Sequence, residues 1–105
     1  MQTNNQILMT IKQLVKNIEP NAKIILYGSF ARGDNNNNSD IDLLILVDQN
    51  NITYQYEKQI KYPLYDLEFD TGQIIGPLIL SKTEWEHKHR ITPFYEHVTQ
   101  EGIEL

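Results

Sequence analysis

Gly28-Ser29-Phe30-Ala31-Arg32-Gly33-Asp34, followed after a polar loop by Ser39-Asp40-Ile41-Asp42-Leu43, decides how this chain is read. The first stretch is a glycine–serine turn of a kind that can hold phosphate. Ahead of it, Lys23-Ile24-Ile25-Leu26-Tyr27 is a β-branched and aliphatic run that reads as a buried strand. Gly28 has no Cβ, so it tolerates a sharp exit from that strand and the close approach of a ligand. Ser29 offers a hydroxyl and a backbone N–H. A short helix beginning at Phe30-Ala31-Arg32 would aim further free N–H groups at the same spot. Arg32 adds a fixed cation for phosphate oxygens.

The second stretch opens another strand, Ile41-Asp42-Leu43-Leu44-Ile45-Leu46-Val47. Strand side chains alternate faces, so Asp40 and Asp42 are expected on one side and Ile41 on the other. Two neighbouring carboxylates repel each other unless a cation sits between them. Oxygen ligands of this kind suit Mg²⁺, which takes one or two carboxylates plus substrate phosphates. Either stretch alone is weak, since a Gly-Ser turn is usually only a turn and an Asp-x-Asp pair usually a solvated one. Together they point to metal-assisted chemistry on a nucleoside triphosphate.

These residues resemble the signature of the DNA polymerase β-like nucleotidyltransferase superfamily, and more narrowly of the small prokaryotic minimal nucleotidyltransferases. The resemblance covers residues 24–47. It implies that Gly28 and Ser29, helped by Arg32, bind the triphosphate. It also implies that Asp40 and Asp42 are the catalytic and metal-binding pair for one or two Mg²⁺ ions, with ATP as substrate. Active members of the superfamily usually carry a third acid on a neighbouring strand. The expected strand here, 73–80, contains neither Asp nor Glu. The nearest acids are Asp66, Glu68 and Asp70. Tyr65-Asp66-Leu67-Glu68-Phe69-Asp70 reads either as an edge strand or as the end of a helix that begins near Thr53 and stops at Thr71-Gly72. In the helical reading its acids form a solvated face.

Composition bounds the alternatives. At 105 residues, one small domain spanning 1–105 is expected. There is no cysteine, hence no disulfide framework and no thiolate metal site, which is consistent with a cytoplasmic protein. No segment approaches the roughly 20 apolar residues of a membrane helix, and Met1-Gln2-Thr3-Asn4-Asn5 does not resemble a signal peptide. A formal net charge of −5 argues against a nucleic-acid partner, because such binding draws on Lys and Arg meeting phosphates.

Elsewhere, Thr3 is placed to cap a helix whose apolar stripe is Ile7, Leu8, Ile11, Leu14, Val15 and Ile18. Asn35-Asn36-Asn37-Asn38 reads as an exposed loop tip. Pro63 is expected to kink or split the helix after Thr53. Ser81 or Thr83 caps a helix containing Trp85, and a last helix runs from Pro93 to about Gln100, stopping at Gly102. His87, His89 and His97 read as surface residues. Trp85, Phe94 and Tyr95 read as packing residues or an oligomer contact. The expected architecture is α/β (α+β), a nucleotidyltransferase fold with a mixed sheet of three to four strands and helices mainly on one face.

The leading functional expectation is Mg²⁺-dependent transfer of AMP from ATP to a hydroxyl of a protein or small molecule. The chain has little beyond this core to form an acceptor pocket, which points to a partner protein or a homo-oligomer. The resemblance further implies pairing with a helical HEPN-type protein, in which such chains act as antitoxins. The alternative is a catalytically weak or inactive nucleotidyltransferase-fold module that covers a partner's surface. A third reading, an aminoglycoside-type enzyme, lacks the additional domain such enzymes use.

Overall fold

The computed structural model describes residues 4–36 and 38–105; Thr3, the expected first cap, lies outside them. The elements follow in the order α1 (Asn4–Ile18), β1 (Lys23–Tyr27), α2 (Ser29–Arg32), β2 (Ile41–Val47), α3 (Tyr54–Thr71), β3 (Ile75–Ser81), α4 (Lys82–His87), α5 (Pro93–Glu101) and β4 (Ile103–Glu104). They build a four-stranded sheet ordered β3-β2-β1-β4. β1 runs antiparallel to β2, with Tyr27 opposite Asp42. β2 runs parallel to β3, as a crossover through the long helix α3 requires, with Asp42 opposite Gly76.

The sheet is covered on both faces. Ile7, Ile11 and Val15 of α1 and Ile60, Leu64 and Leu67 of α3 pack on the face formed by Ile24, Leu26, Leu43 and Ile45. On the opposite face, Leu44 and Leu46 meet Trp85 of α4 and Val98 of α5. The expectation of helices mainly on one face therefore holds for the two long helices only. β2 is consequently buried on both sides, which is why it reads as a continuous apolar run. Its single residue short of full burial is Asp42.

The apolar stripe of α1 is used as expected, with Leu8, Leu14 and Ile18 packed at the rim of the core. α3 begins at the Thr53 cap, whose hydroxyl accepts from the Tyr56 N–H, and ends at Gly72. Residues 65–70 are thus helical. Pro63 lies inside α3 without splitting it. A proline removes one i→i−4 bond, and burial of Ile60, Leu64 and Leu67 on either side of it holds the helix together. Ser81 caps α4 by accepting from the Glu84 N–H, so β3 passes directly into that helix. Leu64 is fully buried between the helix and the sheet. Leu64→Ala is expected to lower stability by about 2–5 kcal/mol, read from denaturant unfolding, because the cavity adds to the lost transfer energy.

Candidate active site

The sequence-predicted residues converge at one end of the β1–β2 pair. Gly28 leaves β1 with φ 77° and ψ −154°, a backbone region open essentially to glycine alone. A Cβ on Gly28 would lie 2.5 Å from Asp42 Oδ2, so this glycine is also what lets the turn and the carboxylate sit together. The single turn of α2 follows. The Ala31 and Arg32 N–H groups bond the Gly28 carbonyl at 3.1 Å, and those of Gly33 and Asp34 bond the Ser29 carbonyl. The Ser29 and Phe30 N–H groups and the Ser29 hydroxyl have no hydrogen-bond partner among the described residues. They are the free donors that the first turn of a helix leaves over.

Asp40 is exposed just before β2, and Asp42 stands half-buried one position inside it. Burial, and then the charge of Asp40, push the Asp42 carboxyl above the usual carboxylate range; Arg32 partly offsets this. Burial also raises the Tyr27 phenol, with the Asp42 charge adding to it. Neither aspartate forms an ion pair among the described residues. The two carboxylates are therefore close enough for their charges to oppose each other, with Arg32 as a partial counterweight. The position of Asp40 follows from its neighbours: Gln73 Nε2 donates to the Ser39 carbonyl at 2.6 Å, and the Ile41 N–H to the Ile74 carbonyl at 2.8 Å. Within the asparagine run, the Asn38 N–H bonds Asn36 Oδ1 and the Asn36 N–H bonds Ser39 Oγ.

Asp66, Glu68 and Asp70 do not join the pair, and no group of three metal-ligating side chains occurs among the described residues. Glu68 Oε1 instead accepts from the Ile75 N–H at 2.8 Å and anchors the start of β3. Asp66 and Asp70 are exposed on α3. The residue beside Asp42 on β3 is Gly76, where a Cβ would lie 3.6 Å from Asp42 Oδ1.

Trp85, Phe94 and Tyr95 form a cluster under the second sheet face, with Trp85 and Phe94 edge-to-face at 5.7 Å. Phe94 also meets Tyr27 edge-to-face at 5.3 Å, directly before Gly28. The sequence offers no sign of that proximity, nor of Glu101, which reaches Gly28 and Arg32 from the end of α5. Both contacts join segments far apart along the chain.

The sequence profile of the nucleotidyltransferase domain matches residues 8–96. The chain belongs to the nucleotidyltransferase domain family. A Methanocaldococcus jannaschii protein named, by inference, a protein adenylyltransferase is 35% identical over 95% of this chain and 99% of its own length. A solved toxin–antitoxin complex with AMP-PNP superposes with a TM-score of 0.59 at 16% identity, over 97% of this chain and 72% of that one. A Sulfolobus solfataricus protein named, likewise by inference, a nucleotidyltransferase gives a TM-score of 0.55 at 21% identity, over 93% and 75%. At such identities the structural likeness concerns the fold. Profile and relative together make this nucleotidyltransferase an enzyme of nucleotidyl transfer, with the mixed four-stranded sheet of its fold class.

Proposed function

We propose that the chain transfers AMP from ATP to a hydroxyl of a protein, using Asp40 and Asp42 as its metal pair and the Gly28-Ser29 turn as its triphosphate holder. The observation that carries this is the Gly28–Asp42 juxtaposition, which sets free N–H and hydroxyl donors beside an unpaired carboxylate site. The two aspartates fit Mg²⁺, a cation content with one or two carboxylates and otherwise ligated by phosphate and water. When bound there, the ion would neutralise charge on the triphosphate and on the departing pyrophosphate. The chain's own share is positional. Ser29 and the Phe30 N–H orient the outer phosphates, Arg32 adds charge at the same end, and the α-phosphorus faces the aspartates. The acceptor oxygen then bonds to the α-phosphorus, the bond to the bridging oxygen breaks, pyrophosphate leaves, and the hydroxyl proton is lost to solvent.

A protein acceptor is supported by the name of the 35%-identical relative. The AMP-PNP-bound toxin–antitoxin neighbour supports ATP as donor and a partner protein; a HEPN-type partner, with this chain as antitoxin, rests on the family resemblance alone. Residues 1–105 act as one domain in this reading. A cytoplasmic location belongs to the same reading, since ATP and Mg²⁺ are supplied there; no helix among the described residues is long and apolar enough to cross a membrane. The test is incubation with Mg²⁺, candidate partner proteins and ATP labelled at the α-phosphate. Covalent label on a partner with release of pyrophosphate is expected; label that stays wholly in nucleotide contradicts the proposal.

A second reading, a binding module of little catalytic power, is favoured by one observation: the β3 residue paired with Asp42 is Gly76, and no group of three metal-ligating side chains occurs among the described residues. A Cβ fits there at ordinary contact distances, 3.6 Å from Asp42 Oδ1 and 3.9 Å from the Ile41 carbonyl oxygen. If the chemistry is limited by the missing acid, Gly76→Asp should raise the transfer rate at least about tenfold, within the range of a positioned general base. An unchanged rate would show that two carboxylates suffice.

A further inference from the structure

Glu101, the last residue of α5, brings a carboxylate to the Gly-Ser turn from the far end of the chain. Its Oε1 accepts from the Gly28 N–H and from Arg32 Nη1, both at 3.3 Å, and its Oε2 from the same Nη1 at 3.4 Å. Arg32 Nε is held on its other side by Asp34 Oδ2 at 3.1 Å. The Glu101 side chain is only 24% exposed, whereas that of Arg32 is 48% exposed. The donors left without a partner among the described residues are the Ser29 hydroxyl, the Ser29 and Phe30 N–H groups, and Arg32 Nη2. A carboxylate that plugged the site would occupy those donors. Glu101 instead takes the two behind them.

The chain is shaped to bring Glu101 there. A Cβ on Gly102 would collide with the Val98 carbonyl oxygen and lie 2.6 Å from Ile25 Cγ2. Only glycine lets the backbone leave α5 so close to β1. Ile103 and Glu104 then pair with Leu26 and Ile25, and the Leu105 N–H bonds the Ile24 carbonyl at 2.9 Å. The segment carrying Glu101 is thereby fastened to the strand that carries the turn.

We propose that Glu101 is a positioning residue for the triphosphate. It fixes the Gly28 backbone and one edge of the Arg32 guanidinium, so that the remaining donors meet the phosphates in a preset arrangement. This rests on reading Gly28-Ser29 as the triphosphate turn. Arg32 acts on the ligand, and Glu101 acts through Arg32 and Gly28.

The test is calorimetric titration of Mg·ATP into wild type, Glu101→Gln, Arg32→Ala and the double variant, with KM and kcat measured in parallel and folding checked by thermal unfolding. Gln keeps the shape of Glu and removes the charge. Glu101→Gln is expected to bind Mg·ATP about three- to tenfold more weakly, as loss of a half-exposed charge-assisted contact allows. The loss should appear in KM while kcat stays near wild type. Losses in the double variant should fall short of additive, because the two residues act as one unit. Equal or tighter binding by Glu101→Gln, or additive losses, would overturn the assignment of Glu101 alone. A wild-type protein that binds no Mg·ATP would overturn the triphosphate reading, and this inference with it.

Discussion

Asp42→Asn is expected to lower nucleotidyl transfer by about 10³-fold, roughly 4 kcal/mol of transition-state stabilisation, while leaving the protein folded. Asp42 is the one residue of β2 that is not fully buried, and it lies between Gly28, just past the end of β1, and Gly76 on β3. Asparagine has the same shape, so the buried strand around it is left undisturbed. What disappears is the charge that would hold a cation. Burial and the neighbouring charge of Asp40 make ionised Asp42 unfavourable in the folded state. Removing that charge relieves the repulsion, so the thermal midpoint of Asp42→Asn should equal or exceed that of wild type. Loss of transfer at undiminished stability is the signature of a residue kept for chemistry. Transfer that persists at the wild-type rate would remove Asp42 from the catalytic assignment.

Gly28→Ala should fail in the complementary way, losing both stability and nucleotide binding. Alanine at φ 77° and ψ −154° is strained by about 1–3 kcal/mol whatever surrounds it. The new Cβ would also press on Asp42 Oδ2, only 2.5 Å away. A side-chain terminus yields before backbone does, so Asp42 is expected to rotate out of the site. Denaturant unfolding should show the strain, and Mg·ATP affinity should fall at least about a hundredfold, more than the strain alone explains. Binding that tracks only the stability loss would mean that the turn and the carboxylate work independently.

Much of this was legible in the sequence. The run Ile41 to Val47 is apolar at every position but one, and the exception is Asp42, the residue proposed to hold the metal. Gly28-Ser29 announces a strand exit, and the spacing of Ile7, Ile11 and Val15 gives the inner face of α1. Other features left no local trace. Because β2 is apolar on both sides, the pattern could not say that α4 and α5 cover the face opposite α1 and α3. β4 has two residues, both exposed, and is recognisable as a strand only through its pairing with Leu26 and Ile25. Pro63 argued for a kinked or split helix, and the split does not occur, because buried side chains lie on both sides of it. The alternation of acids in residues 65–70 suited strand and helix alike until Thr53 and Gly72 were seen to bound one element. Glu101 had no signal, since its contact with Gly28 spans 73 residues.

No third carboxylate stands beside Asp42 on β3, where Gly76 is its neighbour. A site with two carboxylates and a set of preset phosphate donors should hold nucleotide only together with its cation. Calorimetric titration of ATP into the wild-type protein, once with Mg²⁺ and once with EDTA, tests this most directly. Saturable binding with Mg²⁺ is expected at one nucleotide per chain, weakened at least about tenfold by EDTA, since the phosphates would then face Asp40 and Asp42 unscreened. Equal affinity under both conditions, or no binding under either, would contradict it.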